Sequence, residues 1–299
     1  MTKKVLLTGA SGFLGKAILN NLSINKNITT LGRRDSDITF DLTQGICKLP
    51  FSDIVIHAAG KAHCVPKTEN EKKAFYEVNV DGTFNLLSSL EQSNAIPKLF
   101  VFISSVAVYG LESGEQINED SPLLAQEPYG DSKIQAERLI ELWCKKNNVI
   151  CSILRLPLLA GPNPPGNLRA MINSIKKGYY FNINGGVARK SMVLATDVAN
   201  IIPVVAEIGG TYNLTDGLHP TFSQLSEIIA KQLNKKKPTS IPYTIAKLMA
   251  WAGDIIGDKS PINSSKLKKI TLDLTFNDCK ARNKFNWNPQ SVLADFTID

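Results

Sequence analysis

Val5-Leu6-Leu7-Thr8-Gly9-Ala10-Ser11-Gly12-Phe13-Leu14-Gly15 joins an apolar run to three glycines spaced GxxGxxG, and a helix-like segment, Lys16 to Leu22, follows. A buried-type strand that turns on glycine into a helix leaves free backbone N–H groups and the positive end of the helix dipole facing an anion, such as a dinucleotide pyrophosphate. Glycine suits such points because one position turns sharply, one lets phosphates approach the backbone, and one lets the helix pack closely on the sheet. Gly9, Gly12 and Gly15, with Ser11, Phe13 and Leu14 between them, are therefore candidate cofactor-binding residues. The spacing is not the common GxGxxG, and a chain with 20 glycines forms triplets by chance. Its place at the extreme N-terminus, directly after the strand, marks it as a dinucleotide site.

Working outward, strand-like runs recur at Lys4 to Leu7, Ile28 to Leu31, Ile54 to His57, Leu99 to Ser104, Val149 to Leu154 and Thr211 to Leu214. Helix-like segments at Gly15 to Leu22, Glu71 to Ser93, Tyr129 to Lys146 and Val198 to Ile208 separate most of them. Apolar strands alternating with helices predict an α/β fold, a doubly wound parallel Rossmann sheet with ligands at the carboxyl ends of its strands. After Arg155-Leu156-Pro157 comes Gly161-Pro162-Asn163-Pro164-Pro165-Gly166, too rich in proline and glycine for regular structure. This divides the chain into an NAD(P)-binding domain, 1–165, and a smaller, mostly helical C-terminal substrate lobe, 166–299. The lobe is expected to carry helices at Leu168 to Lys177, Phe222 to Leu233 and Tyr243 to Ile256, and one strand near 211–214 that returns to the main sheet.

The chain has 299 residues, 43% hydrophobic, enough for such a core. Its formal charge of +7 comes from lysines spread along the chain, with local clusters such as Lys235 to Lys237, read as solvated surface. No compact basic and aromatic pattern suggests nucleic-acid binding. The five cysteines, Cys47, Cys64, Cys144, Cys151 and Cys279, show no paired metal spacing and read as free thiols, with no metal site. No apolar run reaches about 18 residues, so no membrane insertion is expected. Met1-Thr2-Lys3-Lys4 leads straight into a strand the fold needs, which points to a cytoplasmic protein.

The second strand ends Gly32-Arg33-Arg34, which suits the 2′-phosphate of NADP, whereas NAD favours an acidic side chain there. Arg33 is thus a candidate for NADP binding, with NAD the alternative. Asp41-Leu42 follows a short strand and is placed to meet the adenine, though it is also an ordinary turn sequence. Ala58-Ala59-Gly60, after Ile56-His57, lets a loop lie close against the cofactor. His57 itself reads as a packing residue, and His63 as more open.

The strand ending Ser104-Ser105 precedes Val106-Ala107, and Tyr129-Gly130-Asp131-Ser132-Lys133 opens the next helix. At a spacing of four, Tyr129 and Lys133 share a helix face. A cation beside a tyrosine lowers its pKa from about 10, which makes the phenol an acid/base group near neutral pH. Lys133 is also expected to hold the nicotinamide ribose, and a serine hydroxyl to fix the substrate oxygen. Tyr243 and Lys247 repeat the spacing without a preceding glycine turn or serine-bearing strand end, and read as an ordinary amphipathic helix face.

These motifs together resemble the extended short-chain dehydrogenase/reductase family, and within it the NAD(P)-dependent nucleotide-sugar epimerases, dehydratases and reductases. The resemblance covers nearly the whole chain: Gly9, Gly12, Gly15, Asp41-Leu42, His57-Ala58-Ala59, Asn79-Val80-Asp81-Gly82-Thr83, Ser105, Tyr129 with Lys133, Arg155-Leu156-Pro157, and the closing Lys280-Ala281-Arg282 to Phe285-Asn286-Trp287-Asn288-Pro289. It implies Ser105, Tyr129 and Lys133 as the catalytic set, with Asn79, Ser104 and Pro157 joining the cofactor site. It implies Asn167-Leu168, and Arg189 or Lys190, as contacts of the substrate diphosphate, and a homodimer through the helices beside Tyr129. Sugar 4,6-dehydratases of this family carry an Asp-Glu pair where this chain has Val106-Ala107, which argues against that reaction. Leu158 stands where many 4-epimerases have asparagine.

The resulting expectation is a 4-keto-sugar reductase that acts on an NDP-hexose with NADPH, favoured by Arg33-Arg34 and the rather short lobe. A UDP-hexose or UDP-N-acetylhexosamine 4-epimerase with tightly bound NAD is the alternative, and a noncatalytic NAD(P)-binding regulator the third reading. UDP-N-acetylhexosamine derivatives for surface polysaccharide are the sugar nucleotides this resemblance suggests.

Overall fold

The computed structural model describes residues 3–22, 27–62, 64–256 and 262–298. His63 lies outside the described residues. The strands in chain order are β1 (Lys4–Thr8), β2 (Asn27–Gly32), β3 (Ile38–Thr39), β4 (Ile54–His57), β5 (Leu99–Ser105), β6 (Gly114–Ile117), β7 (Ile150–Leu156), β8 (Leu158–Ala160), β9 (Asn182–Ile183), β10 (Met192–Leu194), β11 (Gly210–Asn213), β12 (Ser240–Ile241) and β13 (Leu274–Phe276). The α-helices are α1 (Phe13–Leu22), α2 (Glu69–Tyr76), α3 (Gly82–Gln92), α4 (Pro128–Asn147), α5 (Gly166–Lys177), α6 (Ala195–Ile208), α7 (Phe222–Gln232), α8 (Tyr243–Ile256), α9 (Ser264–Thr271), α10 (Cys279–Phe285) and α11 (Val292–Asp295).

Seven strands form one parallel sheet in the order β11-β7-β5-β4-β1-β2-β3. The order runs one way from β1 to β3 and the other way from β4 to β11, so the chain reverses between β1 and β4. In doubly wound sheets ligands lie at such a switch point, outside the carboxyl ends of the strands. Both faces of the sheet are apolar. Val5, Leu7, Ile54, Ile56 and Val101 face α1 and α6, while Leu6, Val55, Phe100 and Phe102 face α3 and α4. That is why these strands read as continuous apolar runs rather than as an alternation.

α1 buries Leu14, Ile18 and Leu22, residues four apart on one face. α4 starts with Pro128 at its first turn, where the missing N–H costs nothing, and ends at Asn148 in the left-handed conformation. The expected continuous helix Glu71 to Ser93 is broken. A Thr68–Glu71 capping box starts α2, and a π-turn at Glu77–Asp81 separates it from α3. Such turns recur at functional sites because the wider loop re-aims a side chain, and here the affected residue is the buried Asn79.

Three two-stranded sheets, β10-β8, β12-β9 and β13-β6, lie outside the main one. Beyond Gly166, α5 and α7 share a separate apolar cluster with β10 and Phe296, and α8 and α9 enclose a small one around Ala246, Ala250 and Leu267. β11 returns to the main sheet beside β7. α8 departs from an ordinary amphipathic helix: its packed positions are the small residues Ala246, Ala250 and Gly253, while Ile245, Leu248, Met249, Trp251 and Ile255 are exposed. No helix among the described residues is long and apolar enough to cross a membrane.

Candidate active site at the strand ends

The glycine turn is built as close to its neighbours as backbone allows. Gly9 has φ +75°, and a Cβ there would lie 2.6 Å from the Ala59 nitrogen; one on Gly15 would lie 2.0 Å from the Gly9 oxygen. Neither position admits a side chain. A Cβ on Gly60 would come within 3.2 Å of the Asn79 oxygen and 3.7 Å of the Lys133 nitrogen. The loop after β4 thus lies directly over two of the expected cofactor residues. Ser11 and Gly12 are exposed at the mouth of this turn, and Leu14 is buried, so Leu14 offers its main chain and not its side chain.

A directed hydrogen-bond chain ties the ends of β1 and β4 to Asn79. Ala59 N–H donates to Thr8 Oγ1 at 3.2 Å, and Thr8 Oγ1 lies 2.7 Å from His57 Nδ1. His57 Nε2 lies 3.0 Å from Thr83 Oγ1, which donates to the Asn79 carbonyl at 2.6 Å. Each hydroxyl has one proton, so only the neutral imidazole with its proton on Nε2 satisfies every member. Burial agrees, since it pushes the His57 pKa down to about 3, with Lys133 adding to the effect. His57 is a packing residue, stacked on Phe102 with ring centres 5.6 Å apart. The Asn79 amide is held by Lys61 N–H, the Lys61 carbonyl and Ser132 Oγ at 2.7, 3.1 and 2.9 Å.

At the end of β5, Ser105 Oγ accepts the Ala107 N–H at 3.2 Å and faces the Tyr129 phenol closely enough to favour its ionised form. These two hydroxyls are the expected pair, brought together from two elements. Burial raises the Tyr129 pKa, and Ser105 only partly opposes it. This corrects the expectation that Lys133 lowers it. The Lys133 nitrogen donates to the Ile103 carbonyl at 2.6 Å and lies 4.1 Å from the centre of the Phe102 ring. Burial pulls the Lys133 pKa down to about 7, so the ammonium is itself poorly stabilised.

Ser104 is buried, and its hydroxyl donates to Glu137. Glu137 also takes Arg155 Nε and one Arg155 terminal nitrogen at 3.2 and 2.8 Å, while the other lies 3.2 Å from the Tyr109 hydroxyl. Burial opposes the guanidinium charge, but the Glu137 carboxylate outweighs it and raises the Arg155 pKa. Sequence gave no sign of this pair beyond Arg155 in its family motif, because Glu137 lies on the helix and Arg155 on β7.

Other expected residues divide. Arg33 and Arg34 are exposed at the tip of β2, and the acid close by, Asp37, is occupied by Thr30 N–H and Thr30 Oγ1, both at 2.8 Å. The Asp41 carboxylate caps a short 3-10 turn through Thr43, and the Leu42 carbonyl accepts from Asn85 at 2.6 Å. Pro157 links β7 to β8. Leu168 is 1% exposed in the core, so only its N–H is available, beside exposed Asn167 in the first turn of α5, which has no side-chain cap. Arg189 is committed to Asp273 and Glu115, each at 2.7 Å, and Lys190 donates to the Leu272 carbonyl at 3.0 Å. Both cations are thus engaged by other protein groups, and the Arg189 side chain keeps 42% of its surface exposed.

Residues 5–214 match the model of the NAD dependent epimerase/dehydratase family. The chain belongs to that family. It is an enzyme of the extended short-chain dehydrogenase/reductase type, and the glycine cradle and the loop over Asn79 and Lys133 fit the nicotinamide dinucleotide, NAD or NADP, that such enzymes use. It is 30% identical to the N-acetyl-alpha-D-glucosaminyl-diphospho-ditrans,octacis-undecaprenol 4-epimerase of Escherichia coli O157:H7, covering 94% of this chain and 89% of that one. It is 24% identical to the UDP-glucose 4-epimerase of Vibrio cholerae over 99% and 93% of the two chains. Among solved structures, RMD from Pseudomonas aeruginosa complexed with NADPH superposes with a TM-score of 0.74 at 21% identity, covering 98% of this chain and 95% of that one.

Proposed function

We propose that the protein is a 4-epimerase of a hexose, with an N-acetylhexosamine preferred, carried on a diphosphate, and that Ser105, Tyr129 and Lys133 are its catalytic set. The observation that carries this reading is the Ser105–Tyr129 hydroxyl pair at the end of β5, next to Val106-Ala107. Removing water from a sugar needs a further acid and base, and this position supplies neither. The relatives at 30% and 24% identity support the choice, since both are 4-epimerases and both act on a sugar diphosphate, one joined to undecaprenol and the other to uridine.

In this reading Tyr129 Oη takes the proton from the sugar C4 hydroxyl and returns it to the same oxygen once the 4-keto sugar has turned its other face to the cofactor. Ser105 Oγ, oriented by the Ala107 N–H, donates to the same sugar oxygen and keeps it in line with Tyr129. Lys133 Nζ and the Asn79 amide hold the ribose side of the cofactor, and the N–H groups of Asn167 and Leu168 at the start of α5 meet the substrate diphosphate. A bound nicotinamide would supply reversible hydride acceptance at C4. Gly9 to Gly15 would hold its pyrophosphate, Ala58 to Gly60 would cover it, and Pro157 would bound the site.

Arg33 and Arg34 favour a second reading, a 4-keto-sugar reductase using NADPH. One experiment separates the two. The purified protein is denatured, the released nicotinamide is identified by mass, and turnover of UDP-N-acetylglucosamine and of its lipid-diphosphate counterpart is followed without added reductant. Epimerisation with retained NAD supports the first reading. Stoichiometric NADPH oxidation on a 4-keto-sugar nucleotide, with no epimerisation, replaces it with the second. Tyr129→Phe is expected to keep the cofactor and lose roughly a hundredfold or more in turnover, and near-wild-type rates would remove Tyr129 from the mechanism.

A further inference from the structure

α8 is packed the wrong way round for a helix of a water-facing surface. Its inward positions are Ala246, Ala250 and Gly253, whereas Leu248, Trp251 and Ile255 are 69%, 67% and 74% exposed. At about 100° per residue, Ile245, Leu248, Met249, Trp251 and Ile255 fall on one side of the helix. Single exposed apolar residues are ordinary, but a continuous stripe of this kind marks a contact surface.

The surroundings of the stripe say what kind of surface it meets. Between Lys235 and Thr271 the sequence has eight lysines against two aspartates, a net +6 beside the whole chain's +7. The charge that looked evenly spread is concentrated here. Lys235, Lys236 and Lys237 are exposed ahead of α8, Lys247 flanks its apolar stripe, and α9, which packs on α8 through Leu267, exposes Lys266, Lys268 and Lys269. Among the described residues, Lys237 pairs with exposed Glu227 at 2.7 Å, and Lys268 and Lys269 share exposed Glu112 at 3.6 and 3.5 Å. Exposed pairs of this sort are weak and yield to a dense anionic surface.

We propose that α8 seats this protein on a membrane surface bearing anionic lipids, its apolar stripe in the headgroup boundary and the lysines on lipid phosphates. An apolar helix face with an exposed tryptophan and lysine flanks is the composition of an interfacial helix. A second copy of the chain fits less well, because a two-fold contact on this face would set the same lysines against themselves. The surface also runs on to Arg189 and Lys190, the cations that the sequence places at the substrate diphosphate. α9 leads directly into Leu272-Asp273, whose carbonyl and carboxylate hold Lys190 and Arg189. The docking surface deepens the epimerase reading, and rests on it, in one respect only: it favours a lipid as the carrier of the sugar diphosphate.

The test uses the full chain with vesicles of phosphatidylethanolamine and phosphatidylglycerol, and with phosphatidylcholine alone. Trp143 and Trp287 are buried, so a change in emission reports Trp251. The expected result is co-sedimentation with the anionic vesicles, a blue shift of the Trp251 emission, and weakening by salt. Leu248→Glu combined with Ile255→Glu, which changes only exposed positions, should lower partitioning roughly tenfold or more while leaving nicotinamide content and turnover of a soluble UDP-sugar unchanged. Absence of binding to either vesicle, or equal binding of the double variant, overturns the proposal. So does a wild-type dimer that the double variant splits, which would assign the stripe to a second copy. Vesicle binding is read without turnover, so failure to epimerise any sugar sinks the epimerase reading and leaves the docking surface standing.

Discussion

Lys133→Met should make the protein more stable and less active, and the size of the gain should depend on pH in a defined way. Lys133 is 5% exposed, with one hydrogen bond to the Ile103 carbonyl at 2.6 Å and the face of Phe102 at 4.1 Å. Its pKa falls from 10.5 to about 7 because burial penalises the charge, and Glu137 offsets only part of that. At about 1.4 kcal/mol per pH unit, keeping this lysine protonated in the fold costs roughly 5 kcal/mol. Between about pH 7 and 10.5 the unfolded chain holds a proton that the native state lacks, so wild-type stability rises with pH across that window. Below it the whole penalty is present, and above it the penalty is gone.

Methionine fills nearly the same volume without a charge. It forfeits the bond to Ile103, worth about 1 kcal/mol, so the net gain below pH 7 is roughly 4 kcal/mol. That gain should shrink through the alkaline window and turn slightly negative at its upper end. Urea unfolding of both proteins, stripped of nucleotide because a ligand of the native state adds its own stabilisation, measures the difference at each pH. A constant difference, or a variant less stable than wild type below pH 7, would refute the account of Lys133 as a buried, poorly stabilised ammonium. Turnover of the variant should be lost at every pH. A residue whose removal strengthens the fold and abolishes the reaction is retained for chemistry.

Glu137→Gln leaves the Arg155 guanidinium buried without its carboxylate and should cost about 3 to 5 kcal/mol in chemical unfolding; Glu137→Leu combined with Arg155→Leu should recover most of it, and an equal loss would show that the pair is not the cause. Arg33→Ala should weaken NADPH about tenfold and NADH far less in titrations of nucleotide-free protein, with equal losses removing the case for a 2′-phosphate contact. Gly15→Ala places a methyl group 2.0 Å from the Gly9 oxygen, so the turn must open; released nicotinamide should fall to background on denaturation, and full occupancy would contradict the cradle.

The main sheet was legible because both of its faces are covered. A strand buried on two sides has nowhere to put polar residues, so Val5-Leu6-Leu7 and Ile54-Val55-Ile56 announce themselves as apolar runs. The short pairs β10-β8, β12-β9 and β13-β6 have two to four residues each, too few for any period, and depend on partners far along the chain. The break at Glu77–Asp81 was hidden for another reason: its residues keep the helical pattern on both sides, and the extra residue of the π-turn changes which one faces Lys61 and Ser132, not the composition.

Within the candidate site, spacing located groups and could not say how they are electrically placed. The four-residue step from Tyr129 to Lys133 sets both on one helix face, which predicts a cation beside a phenol. The structure turns the lysine instead toward Ile103 and Phe102, and leaves the Tyr129 pKa raised by burial, with Ser105 only partly opposing the rise. A helical spacing fixes direction to within a turn, but a pKa depends on a few ångströms and on what else is buried there. The same limit hid the Glu137–Arg155 pair and the relay from Thr8 to Asn79, whose members come from different strands and helices. In α8 the failure ran the other way. Its pattern was amphipathic, but periodicity does not state which face is turned inward. Small residues can pack a helix as closely as large ones, and only the fold shows that Ala246, Ala250 and Gly253 are the inner face. A helix whose bulky side is left to solvent beside most of the chain's net charge is under pressure to find a surface, and that pressure, more than any motif, distinguishes this lobe.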